Sequence, residues 1–215
     1  MDFESVAAQL RKPEGEFGKQ VGEKMNISNE IMNRTAIEWL HLAPADAVLE
    51  IGMGNGAFCK DILQPDATIT YTGCDFSETM IAEATQRNQS FVEAGRAAFV
   101  LADAQAMPLA DASFTKALTI NTIYFWQNPA QVLAEIRRVL KPTGTLVIGL
   151  RTREVMQMLP FVLYGFQLYS EKEVESLLLN HGFNSIGIHK NQEPAQEIAG
   201  QLFSMDSVVV SGIRG

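Results

Sequence analysis

The sequence predicts a doubly wound, mostly parallel α/β sheet with helices on both faces. Three observations carry that prediction: short apolar runs alternate with amphipathic segments, a glycine-rich turn follows the first run, and acidic residues recur where successive runs end. Strands separated by helices pair in parallel through right-handed crossovers, which brings their carboxyl ends to one side of the sheet. With 215 residues, 47% of them hydrophobic and 20% charged, one substantial core is expected. The expected layout is a single domain over 1–215, with an N-terminal arm and helix over 1–43 and the sheet core over 44–215.

The elements follow in chain order. Residues 1 to about 26 are polar and contain Arg11-Lys-Pro-Glu-Gly15, Gly18 and Gly22, so they read as an arm that is mobile or ordered by ligand, in effect a lid. From Ser28, the residues Met32, Ala36, Trp39 and Leu40 make the stripe of an amphipathic helix, which Pro44 stops. Ala47–Ile51, Ile69–Cys74, Ala97–Leu101, Thr115–Ile120 and Thr145–Leu150 are the runs expected of strands buried on both faces. Before the last of these, Asn128 caps a helix with Pro129 at its first position, and Val132, Leu133, Ile136, Val139 and Leu140 form its inward stripe. Lys141-Pro-Thr-Gly144 then turns the chain. Ser170-Glu-Lys-Glu173 is a capping box opening a helix that ends at Gly182. Asn184–Lys190 and Met205–Ile213 read as a long antiparallel strand pair, joined by a linker over 191–204 with only a weak helical pattern.

Composition narrows the function. A net charge of −8 argues against a nucleic-acid partner, because non-specific affinity for phosphates comes from Lys and Arg. No run reaches the roughly 20 apolar residues that span a bilayer, and the start lacks a signal-peptide layout, so no membrane span and a cytoplasmic location are expected. Cys59 and Cys74 read as core residues, and no Cys/His spacing suits a metal. Oligomeric state is not readable.

In a sheet of this kind the chemistry belongs just after the strands. The loop Gly52-Met-Gly-Asn-Gly56 lets a ligand approach backbone with no Cβ in the way, and the helix after it offers free N–H groups. Gly52, Gly54 and Ala57 equally satisfy a dinucleotide pattern, and Asp75, 23 residues beyond Gly52, suits the ribose of either an adenosyl or a nicotinamide cofactor. Glu50 and Asp103 tilt the choice. A carboxylate at Glu50 would repel a pyrophosphate but attract a cationic amino acid and sulfonium, and Asp103 stands where an adenine amino group could donate to it.

Val48-Leu-Glu-Ile-Gly-Met-Gly-Asn-Gly56, Gly73-Cys-Asp-Phe-Ser-Glu-Thr-Met80, Ala102-Asp-Ala-Gln-Ala-Met-Pro-Leu109 and Val139-Leu-Lys-Pro-Thr-Gly144 resemble successive motifs of class I S-adenosylmethionine-dependent methyltransferases. The similarity is greatest to the ubiquinone and menaquinone biosynthesis subgroup, and it covers roughly residues 45 to 190. It implies a Rossmann-like seven-stranded sheet with the last strand antiparallel. It also implies that S-adenosylmethionine is the cofactor, S-adenosylhomocysteine the product and a small molecule the methyl acceptor. By position, Gly52, Gly54 and Gly56 would pass the methionine part, Glu50 would orient its amino end, Asp75 would hold the ribose, and Asp103 with Ala104 would fix the adenine. Phe76 and Met80 would supply apolar contact, and Asn121 would lie beside the methionine end.

Methyl transfer requires alignment and exclusion of water, with a base only if the acceptor must lose a proton, so no catalytic residue is named. The aromatic group after the fourth strand supplies the acceptor-pocket candidates Tyr124 and Trp126, with Phe125 beside them, and Arg151 at the end of the fifth strand could attract an anion. His41, His181 and His189 are poorly placed for a base. The competing readings are an NAD(P)-dependent oxidoreductase, resting on the glycine loop and Asp75 alone, and a non-catalytic adenosyl-binding module whose mouth the arm would fill.

Overall fold

The five apolar runs become the parallel strands β1 (Ala47–Ile51), β2 (Thr70–Asp75), β3 (Ala97–Leu101), β4 (Phe114–Ile120) and β5 (Leu140–Leu150) of a computed structural model that describes residues 2–198 and 200–215. The chain then forms β6 (Phe183–Asn191), the short strands β7 (Gln196–Ile198) and β8 (Gln201–Phe203), and β9 (Ser207–Arg214). Seven strands make one sheet in the order 3-2-1-4-5-9-6, with β9 antiparallel between β5 and β6, as the resemblance implies. From β1 the chain winds outward to β3 and then returns to place β4 on the other side of β1. Ile51 therefore stands beside both Cys74 and Thr119, and the loops after β1, β2 and β4 open at one crevice.

Alternate residues of each strand feed different cores, which explains why the runs are apolar throughout. Leu49, Ile51 and Ile148 face α7 (Pro129–Val139) and α9 (Glu171–Asn180), which contribute Leu133, Ile136 and Leu178. Val48, Leu118 and Val147 face the opposite way, onto Ala36 of α3 (Glu30–Trp39), Leu40 that caps it, and Ile62 of α4 (Cys59–Leu63). The capping predictions hold at atomic detail. The Asn128 side chain accepts from Gln131 N at 3.3 Å, and Ser170 with Glu173 closes a reciprocal box. Between β2 and β3 lie α5 (Glu78–Arg87) and α6 (Gln89–Glu93), and α8 (Arg153–Met156) follows β5.

Three sequence expectations need correction. The arm is helical, as α1 (Phe3–Arg11) and α2 (Gly15–Ser28). One of its glycines serves close packing: a Cβ on Gly18 would stand 2.6 Å from Pro13 C, whereas one on Gly22 would make only ordinary contact with Met80 Sδ at 3.5 Å. The stretch 141–144 belongs to β5, where Thr143 at φ +63° accommodates an irregularity opposite Phe114 and Lys116. Within the linker 191–204 the weak helical pattern loses to the hairpin β7–β8, in which Gln196 pairs with Phe203. Among the described residues no helix is long and apolar enough to cross a membrane.

Candidate functional site

The three glycines after β1 all have left-handed backbone, at φ +68°, +57° and +66°, yet each is needed for a different reason. Gly52 donates its N–H to Cys74 O at 2.7 Å, and a Cβ there would stand 2.3 Å from Thr122 Cγ2, so close approach of the β4 loop demands it. Gly54 donates to Asp75 Oδ2 at 3.1 Å and has nothing within 4 Å of a Cβ position. Open space lies on that side. Gly56 is different, because its Cβ would meet Ala84 Cβ and Asn88 Nδ2, each at 2.9 Å. It is a packing glycine against α5 and does not border the crevice.

Glu50 is buried at the end of β1, where Tyr71 donates its hydroxyl to Glu50 Oε2 at 2.7 Å. Burial pushes its carboxyl up to about 7, against the Tyr71 hydrogen bond, and the nearby Asp75 adds to the rise. Asp75 accepts from Gly54 N at Oδ2 and from Ser77 N at Oδ1, 2.9 Å. Burial raises it to about 6 even so, with the backbone donors of Ser77, Gly54 and Phe76 opposing the shift. Each carboxylate oxygen keeps a second lone pair for a ligand. Asp103 is exposed, and its Oδ1 accepts from Gln105 N at 2.8 Å.

These loops border a cavity of roughly 280 Å³, roofed by α1, α2 and the start of α3. Of the sequence candidates, Glu50, Gly52, Gly54, Asp75, Phe76, Asp103, Ala104, Asn121, Phe125 and Trp126 line it. Trp126 is 4% exposed, and its Nε1 has no hydrogen-bond partner among the described residues. Four candidates lie elsewhere. Besides Gly56, Met80 is fully buried beneath Gly22 of the roof. Tyr124 is turned into the core, where its hydroxyl meets Asn121 Oδ1 at 3.1 Å and the Arg151 backbone O at 2.9 Å. Arg151 is 3% exposed, paired with Glu193 at 3.2 Å and bonded to Ser28 O and Met205 O, so it is a structural tie and not a lure for an anion.

Sequence reasoning read the arm as a lid but named none of its residues at the site, and it passed over several loop residues, among them Met53, Asn55, Gln105 and Thr122. Met25, Asn26, Asn29 and Asn33 line the cavity from α2 and α3, and Asn55 lines it from the glycine loop. Their signal was the helical spacing of Asn26, Asn29 and Asn33, which put three carboxamides on one face of a segment read partly as an irregular arm.

A profile of the methyltransferase domain matches residues 49–148, from inside β1 to inside β5. Nearly half of the chain, from Leu49 to Ile148, thus matches the methyltransferase domain family. That match sets aside the oxidoreductase alternative left open by the glycine loop. Among its relatives, the ubiquinone/menaquinone biosynthesis C-methyltransferase UbiE of Paracoccus denitrificans is 30% identical over 60% of this chain and 55% of its own length. A demethylmenaquinone methyltransferase of Beutenbergia cavernae is 31% identical over 69% of this chain and 61% of its own. The chain thus spans between about half and two thirds of these two relatives. In fold, it is similar to a chain of the Haloferax volcanii complex with the Trm112 methyltransferase activator, at TM-score 0.76 and 16% identity over 99% of this chain and 97% of that one. The methyltransferase domain match leaves out α1 to α3 and everything beyond Ile148, so the roof of the cavity comes from outside the matched residues.

Proposed function

We propose that this chain binds S-adenosylmethionine in the crevice beyond β1, β2 and β4 and transfers its methyl group to a small-molecule acceptor, releasing S-adenosylhomocysteine. The observation that carries the reading is three acidic side chains, Glu50, Asp75 and Asp103, on one cavity wall with the open backbone of Gly54. That donor set fits a cationic amino acid, a ribose and an adenine amino group, and it would oppose a pyrophosphate. The names of the quinone-pathway relatives support a small acceptor, as does the cavity's size.

When bound, the cofactor supplies an electrophilic methyl group on a sulfonium. Asp75 holds the ribose through lone pairs not used by Gly54 and Ser77, and Asp103 with Ala104 holds the adenine. Glu50 faces the amino end, and Phe76, 40% exposed, offers an apolar surface to the adenosyl group. Phe125 and Trp126, not Tyr124 or Arg151, wall the acceptor side, and α1 and α2 act as the lid that excludes water. The cytoplasm is the proposed location, in keeping with the unbridged, buried Cys59 and Cys74.

The deciding experiment is calorimetric titration with S-adenosylmethionine, S-adenosylhomocysteine and NAD in parallel. The adenosyl compounds are expected to bind at micromolar concentrations and NAD not to bind. Binding of NAD alone would overturn the reading.

A further inference from the structure

One polar atom of the glycine loop has no structural use. Asn55 is 2% exposed and lines the cavity, yet its Oδ1 has no hydrogen-bond partner among the described residues. Its Nδ2 is used: it donates to Glu23 Oε1 of α2 at 3.1 Å. The orientation of the amide follows from that contact, because a carboxylate only accepts and turning the amide over would set two oxygens against each other. Glu23 also receives Arg87 of α5, so one carboxylate joins the roof to the loop and to the wall. Leaving a buried acceptor unpaired is unfavourable, and a ligand donor would remove that penalty.

We propose that Asn55 Oδ1 is the acceptor for the cationic amino group of the cofactor, and that Glu23 is a positioning residue which locks Asn55 in that orientation only when α2 is docked. This inference rests on the cofactor reading above. An ammonium carries three N–H donors, and Glu50 alone cannot satisfy them. Asn55 stands on the same loop as Gly54, the one glycine of the turn with open space beside it. Because Glu23 reaches the ligand only through Asn55, cofactor binding and docking of α2 are linked, and each strengthens the other by the same factor.

The test uses two probes, S-adenosylhomocysteine and 5′-methylthioadenosine, which share the adenosyl half and differ in the amino acid end. Asn55→Ala is expected to weaken S-adenosylhomocysteine about tenfold and to leave methylthioadenosine within about twofold. Glu23→Ala, at an exposed position, should weaken S-adenosylhomocysteine several-fold and abolish the ligand-induced slowing of amide exchange in 15–28. The double variant should bind no worse than Asn55→Ala, since Glu23 acts through Asn55. Equal weakening of both probes, unchanged affinity in Asn55→Ala, or additive losses in the double variant would each overturn the proposal. Melting curves of the unliganded variants check folding, and Glu23→Ala keeps the test open if Asn55→Ala unfolds. Wild-type protein that binds neither probe would overturn the cofactor reading itself, whereas wild-type binding with an insensitive Asn55 would overturn this inference alone.

Discussion

At the scale of single residues, Gly54 and Gly56 separate binding from folding within one turn. Both have positive φ, so an alanine at either pays about 1–3 kcal/mol of backbone strain. Gly54→Ala adds a methyl group facing open cavity space, and its main effect should be a loss of S-adenosylhomocysteine affinity of about tenfold or more. Gly56→Ala drives its methyl group into Ala84 and Asn88, and should lower the urea midpoint further while changing affinity less. Equal affinity losses in the two variants would place Gly56 at the ligand after all. The motif shows that this turn needs glycines, but the reason for each depends on what lies across from it: Thr122 for Gly52, Ala84 for Gly56, nothing for Gly54. Likewise Tyr124 and Trp126 look equivalent as letters. A 3-10 turn over Ile123–Phe125 sends one into the core and leaves the other on the cavity.

At the scale of elements, legibility followed locality. The helices opened by Asn128 and Ser170 and the apolar strands are specified by neighbours within a few residues, and their predicted bounds agree closely with α7, α9 and β1 to β4. The arm and the linker 191–204 take their form from distant partners. Gly15 N is held by Thr79 Oγ1 at 3.1 Å, the Ser77 hydroxyl by Pro13 O, and Gln196 Nε2 reaches Ser28 O at 3.0 Å. No local pattern records such contacts. Arg151 is the centre of this long-range tying, since it joins β5 to the α2–α3 junction, to Met205 and to Glu193. Glu193→Ala removes the only carboxylate paired with that buried guanidinium among the described residues and should cost about 3–5 kcal/mol in chemical denaturation. Faster amide exchange around Ser28 and Asn29 should accompany it. A loss below about 1 kcal/mol would show that the backbone carbonyls alone carry the Arg151 charge.

At the scale of the whole molecule, the charge balance acts on the site through burial. The chain carries −8 overall, and Glu50 and Asp75 are buried together, neither paired with a cationic side chain among the described residues. Burial is the first cause of both upward shifts, to about 7 for Glu50 and about 6 for Asp75, from ordinary values of 4.5 and 3.8. Between the ordinary and the raised values the folded chain holds protons that the unfolded chain has released, so its stability falls as pH rises across that window and levels off above about 7. A cationic ligand reverses this cost, because it pairs with the carboxylates in their charged form. The unliganded protein should therefore melt higher at pH 5 than at pH 8, while the upward shift of the melting temperature caused by S-adenosylhomocysteine should be larger at pH 8. Glu50→Gln removes one of the two groups, so it should flatten the pH dependence of the unliganded protein and reduce the ligand-induced shift at pH 8. A ligand-induced shift that is the same at both pH values in the wild type would mean that neither buried carboxylate faces the cationic end of the cofactor.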